Sequence, residues 1–129
     1  MEVLLTGAFG NVGLKTLDAL LDAGHNVRCI DLETPANAKS SDNFIENTQS
    51  NYERISRFSC VWGDICNEAL VSDISKNVDA VIHLAAIIPP VSEENESLSY
   101  RVNVVATQNL LGAVKRNSPE ARFIFASTV

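Results

Sequence analysis

The chain has 129 residues, the length of one domain, and 46% of them are hydrophobic, enough to supply a core. Ten Lys and Arg against sixteen Asp and Glu leave a formal charge of −6, which argues against nucleic acid or an anionic membrane as a partner. It does not argue against a phosphate ligand, because backbone N–H groups bind phosphate without a basic side chain.

The first apolar run, at 3–6, predicts a strand buried on both faces. Over 11–23 the period changes to helical: Leu14, Leu17 and Leu21 share one face and Lys15, Asp18 and Asp22 another. Gly24 suits the left-handed position just past a helix. A second strand is predicted over 26–31. The segment 33–56 is rich in Ser, Asn, Thr and acids and reads as a loop followed by a polar helix over 44–55. Further strands are predicted over 57–62, 78–84 and 122–126, a short helix over 67–75, and a loop over 87–95 marked by Pro89-Pro90 and acids. The stretch 96–116 predicts one long helix, apolar on more than one side. This alternation implies an α/β fold, a doubly wound parallel sheet of Rossmann type with five strands. Trp62 and the Phe residues are expected in its core.

Gly7, Gly10 and Gly13 stand where the first strand hands over to the first helix. A tight turn there brings a pyrophosphate onto the helix N-terminus, where open N–H groups and the helix dipole favour negative charge. On this reading Gly7 allows the turn, Gly10 lets the backbone approach the phosphates, and Gly13 lets the helix pack close to the sheet. Asp31 ends the second strand, where a carboxylate accepts hydrogen bonds from ribose hydroxyls and repels a 2′-phosphate. No Arg follows it immediately, which favours NAD over NADP. Cys29, Cys60 and Cys66 are odd in number and lack C-x-x-C spacing, so no disulfide framework and no metal site is expected. Met1 leads almost directly into the first strand, leaving no room for a signal peptide, and no apolar run nears the ~18 residues of a membrane span; a cytoplasmic protein is expected.

The glycines are spaced G-x-x-G-x-x-G, and Thr-Gly-Ala-Phe-Gly-Asn-Val-Gly at 6–13 resembles the cofactor signature of the short-chain dehydrogenase/reductase superfamily. Gly-Asp-Ile at 63–65, Asp-Ala-Val-Ile-His-Leu-Ala-Ala at 79–86, the helix at 100–111 with Asn103, and Phe-Ile-Phe-Ala-Ser-Thr-Val at 123–129 narrow the resemblance to its extended branch, the NAD-dependent epimerase/dehydratase type. The resemblance implies NAD as cofactor, held by Gly7, Phe9, Gly10, Asn11, Val12, Gly13, Asp31, Leu32, Asp64, Ile65, Leu84, Ala85, Ala86 and Asn103. Asp64 corresponds to the residue that contacts the adenine, and Asn103 to one that supports the site structurally. Thr128 best matches the catalytic hydroxyl, with Ser127 as its neighbour. His83 reads as a packed strand residue rather than a base or metal ligand. Ala106 departs from the branch's usual Gly.

The resemblance further implies hydride transfer on a hydroxylated small molecule, with a nucleotide sugar as the expected substrate class, and a homodimer formed through the 96–116 helix. The branch's catalytic Tyr-x-x-x-Lys pair does not occur: neither Tyr52 nor Tyr100 has a Lys four residues on. The chain is therefore expected to be the N-terminal cofactor-binding part of a longer enzyme, cut after the fifth strand, without its Tyr-Lys helix and substrate lobe. It is expected to be inactive alone. The alternative is a non-catalytic dinucleotide-binding or redox-sensing module on the same fold. An unrelated flavodoxin-like domain would require the glycine loop and the 79–86 motif to be coincidences.

Overall fold

The computed structural model describes residues 1–127. Five parallel strands, β1 (Glu2–Thr6), β2 (Asn26–Asp31), β3 (Phe58–Trp62), β4 (Ala80–His83) and β5 (Arg122–Phe125), form one sheet in the order β3-β2-β1-β4-β5. The chain steps outward from β1 through β2 to β3. It then returns to the other side of β1 for β4 and β5. The order thus reverses between β1 and β4, and in such sheets ligands bind at the carboxyl edge at that point.

The successive residues Leu4 and Leu5 serve opposite faces, as strand alternation requires. Leu4 packs with Ile30 and Val81 against Val71 and Ile74 of α4 (Glu68–Ile74) and Leu110, Ala113 and Val114 of α7 (Thr107–Asn117). Leu5 packs with Val27 and Cys29 against Leu17 and Leu21 of α1 (Asn11–Asp22). Each fully buried leucine contributes on the order of 2 kcal/mol. Phe9, Phe44, Phe58 and Trp62 join the α1 side of this core and Phe123 the α7 side, whereas Phe125 is exposed. Gly24 takes φ +85° just past α1, the left-handed position expected of it.

The polar stretch departs from expectation. Helix α2 runs Pro35–Thr48, so its first turns occupy what reads as loop. Thr34 caps it, with Oγ1 accepting from Asn37 N–H at 3.1 Å, and Pro35 fills the first turn, where no N–H is needed. The helix then stops, and a separate turn, α3 (Tyr52–Ile55), restarts under an Asn51 cap that accepts from Arg54 N–H at 3.0 Å. Arg54 pairs with Asp18 and Asp22 of α1, and Arg57 Nη2 donates to the Leu21 carbonyl at 2.9 Å, tying this segment to the amino edge of the sheet.

The expected single long helix is three pieces: α6 (Glu96–Tyr100), a π-helical segment (Arg101–Ala106) and α7. The loop before it contains one helical turn, α5 (Val91–Glu94). The apolar breadth of the long helix divides into a buried side, Ala106, Leu110, Ala113 and Val114, and an open side with Val105 and Leu111 exposed. Among the described residues no helix is long and apolar enough to cross a membrane.

Candidate cofactor-binding site

The carboxyl ends of β1, β2, β3 and β4 bring the sequence-predicted residues to one edge. Gly7 follows β1 with φ +67°, a conformation that favours glycine, and its N–H donates to the Ile30 carbonyl at 3.0 Å. A Cβ on Gly7 would lie 2.8 Å from Ala85 N, so the glycine loop rests directly on the exit of β4. Gly13 sits where the helix makes a close approach. A Cβ there would lie 2.1 Å from the Gly7 carbonyl oxygen and 2.7 Å from Ala8 O, so the first turn of the helix packs closely on the backbone that leaves β1.

Gly10 contrasts with both. A Cβ on Gly10 would meet only the Gly7 oxygen, at an ordinary 3.7 Å. The protein itself leaves that position room for a side chain. No side chain caps α1 at Gly10, and the first N–H groups of a helix have no partner within it. Asn11 and Val12 are exposed in this first turn.

Asp31 anchors the loop from the neighbouring strand. Its Oδ2 accepts from Phe9 N–H at 3.0 Å and its Oδ1 from Leu32 N–H at 2.9 Å. A carboxylate has about four acceptor positions, so two remain for a ligand's hydroxyls. Phe9 therefore reaches the site through its backbone only. Its ring is buried, 5.2 Å from Trp62, which lies opposite Asp31 in the β2–β3 register. Leu32 is exposed beside Asp31. Asp64 is exposed past β3, its Oδ1 accepting from Cys66 N–H at 2.8 Å, while Ile65 is buried in the core.

The floor of the edge is the segment 84–87. Leu84 and Ala85 are half-buried and Ala86 exposed. The Thr6 Oγ1 accepts from both Leu84 N–H and Ala85 N–H, each at 3.1 Å. Asn103, in the π-helical segment, holds the other end: its Oδ1 accepts from Ile87 N–H at 2.7 Å and its Nδ2 donates to the Ile87 carbonyl at 2.9 Å. π-helical turns recur at functional sites, and this one turns an amide out of the helix to clamp a loop. Replacing Asn103 by Leu strands both Ile87 backbone groups. Urea unfolding is expected to show a loss of about 2 kcal/mol, and unchanged stability would refute the clamp.

Thr6, Ile87 and Thr107 are the structural contributors that sequence reasoning did not single out. The polar Thr6 at the end of an apolar strand was the available signal. His83 is packed, as expected: it is 1% exposed, ringed by Phe125 and Phe123 at 5.9 and 6.1 Å, and burial lowers its pKa to about 4. Burial raises the thiols, Cys60 to about 11, so none of the three cysteines is a ready nucleophile. Among the described residues no cluster of metal-ligating side chains occurs. Ser127 lies past β5 on the same edge; Thr128 falls outside the described residues.

Residues 3–129 match the NAD dependent epimerase/dehydratase family. The chain belongs to that family. Within it, the chain is 31% identical over 129 residues to D-erythronate dehydrogenase of Haemophilus influenzae, covering 100% of this chain and 38% of the relative. It is 32% identical over 139 residues to UDP-glucose 4-epimerase of Caenorhabditis elegans, covering 99% and 38%. Among solved structures, UDP-glucose 4-epimerase of Bifidobacterium longum in complex with NAD+ and UDP superposes with TM-score 0.81 at 25% identity, over 100% of this chain and 37% of that one. The Stenotrophomonas maltophila UDP-glucose-4-epimerase, with bound NAD and formylated UDP-arabinopyranose, gives 0.83 at 23% identity over 100% and 37%, a likeness of fold. The chain thus spans less than two-fifths of the length of each of these proteins.

Proposed function

We propose that this chain is the NAD-binding part of an epimerase, dehydratase or dehydrogenase acting on a hydroxylated small molecule, with a nucleotide sugar as the substrate class. The observation that carries the cofactor reading is Gly10: the fold leaves room for a side chain there, at the open N-terminus of α1, where a pyrophosphate needs bare backbone. Asp31, already fixed by two N–H groups, offers its remaining lone pairs to a ribose. UDP-glucose 4-epimerase and UDP-glucuronic acid decarboxylase among the relatives support a nucleotide sugar, and D-erythronate dehydrogenase supports the wider class of hydroxylated substrates.

Bound NAD would supply a hydride acceptor at the carboxyl edge. The chain's own part is to hold it there, with Ser127, just past β5, and Thr128, next in the sequence, proposed to orient a substrate hydroxyl. No Tyr-x-x-x-Lys pair occurs in the 129 residues, and Tyr52 sits on α3 at the opposite edge, so this chain is read as binding NAD without turning it over. Val105 and Leu111, exposed on the outer side of the long helix, support a homodimer through that helix.

A titration with NAD and NADP tests the cofactor reading, followed by the fluorescence of Trp62, the single tryptophan, whose ring lies tilted against that of Phe9. The unaltered chain is expected to prefer NAD. Asp31→Asn removes the charge and is expected to weaken NAD about tenfold while narrowing the gap to NADP. A variant that binds NAD as tightly, and excludes NADP as strongly, as the unaltered chain would sink the assignment of Asp31.

A further inference from the structure

Thr6 and His83 are register partners at the carboxyl ends of β1 and β4. The Thr6 Oγ1 has three polar neighbours: Leu84 N and Ala85 N at 3.1 Å each, and His83 Nδ1 at 2.6 Å. A hydroxyl has two lone pairs and one proton. The two backbone N–H groups can only donate: Ala85 N–H takes one lone pair, and Leu84 N–H, shared with the Thr6 carbonyl at 3.3 Å, faces the other at the shorter distance. The hydroxyl proton is then left for Nδ1. A nitrogen that accepts carries no proton, so in the neutral ring the proton is on Nε2. That nitrogen lies 2.8 Å from Thr107 Oγ1, which accepts it.

We propose that His83 is a positioning residue for the cofactor site: a neutral imidazole, protonated at Nε2, that fixes the Thr6 hydroxyl so that its lone pairs hold the Leu84 and Ala85 amides, and that ties this floor to α7 through Thr107. The consequence for the site follows from contact. Gly7 lies so close to Ala85 that a Cβ on it would approach Ala85 N to 2.8 Å. A shift of Ala85 therefore displaces the turn that carries Gly10 and the start of α1. The ring cannot easily turn over, being buried between Phe123 and Phe125. Its burial also disfavours the charged form, in which Nδ1 would carry a proton and the Thr6 hydroxyl would lose its acceptor. A leucine could fill much of the same space, but it would leave the hydroxyl free to rotate its lone pairs away from the two amides.

The effect on cofactor affinity rests on the NAD reading above; the tautomer and the amide anchors do not. Long-range 1H–15N spectra of the chain at neutral pH are expected to show a bare Nδ1 and a protonated Nε2 on His83. A protonated Nδ1 would overturn the proposal without any variant. His83→Asn keeps an acceptor where Nδ1 stood, whereas His83→Leu removes it. Amide exchange at Ala85 is expected to quicken about tenfold in His83→Leu and to stay near the original rate in His83→Asn, with a smaller change at Leu84, which keeps the Thr6 carbonyl. NAD affinity is expected to fall about tenfold in the first and to be held within about threefold in the second. A folded His83→Leu chain with unchanged exchange and unchanged affinity would refute the positioning role. If the unaltered chain binds no NAD, the functional reading fails, and the tautomer and exchange results still decide the role of His83.

Discussion

Gly10→Ser is expected to abolish NAD binding while leaving the fold's stability within about 0.5 kcal/mol, since serine caps a helix at least as well as glycine does. The position has extended backbone, φ −75° and ψ 174°, and no crowding around an added Cβ. Any loss of binding then comes from the ligand's side of the contact. Gly13→Ala should behave in the opposite way. Its Cβ would press on the Gly7 carbonyl at 2.1 Å, against backbone that cannot turn aside as a flexible side chain could. Over-packing of this kind is expected to cost about 3 kcal/mol and to take NAD binding down with it. Urea unfolding and a Trp62-monitored NAD titration on the two variants separate the cases. A Gly10→Ser chain that binds NAD like the original would refute the phosphate cradle.

The contrast between these glycines shows where sequence reading reached its limit. Three glycines between a strand and a helix already marked a loop, and Asp31 was already singled out at the end of the next strand; the structure brings the two together through Phe9 N–H. The sheet was also readable, because Val3, Leu4 and Leu5 form a continuous apolar run that only a doubly covered strand can use, and the β–α alternation orders the rest. What each glycine touches is a three-dimensional fact: nothing in the spacing says that Gly13 meets the Gly7 carbonyl while Gly10 stays uncrowded. The start of α2 was missed for a different reason. Its polar composition hid a helix whose signal lay in two residues, the Thr34 cap and Pro35 in the first turn. The break in the long helix had no signal in periodicity, because the π-helical segment keeps its apolar residues and changes only the pitch. Asn103 stood out there as a polar residue in an apolar helix, and its partner proved to be the backbone of Ile87.

Lowering the pH from 6.5 to 4 is expected to remove about 3 kcal/mol of stability through His83 alone. Its pKa falls from 6.5 in the free side chain to about 4 in the fold, because burial disfavours the imidazolium. Between those values the unfolded chain binds a proton that the folded chain does not. Stability therefore rises with pH across this window, is fully present above about 6.5, and drains away as the pH falls toward 4. Carboxylates titrate in the same range, so the measurement is the difference between the original chain and His83→Asn in urea midpoints from pH 7 down to 4.5. The variant's curve is expected to be flatter by the share His83 contributes, and parallel curves would refute it. The same proton also bears on the site. An imidazolium has no acceptor left for the Thr6 hydroxyl, so Ala85 N–H loses its fixed acceptor, while Leu84 N–H keeps the Thr6 carbonyl. The protection of the Ala85 amide, taken relative to its intrinsic exchange rate at each pH, should therefore fall on acidification ahead of global unfolding.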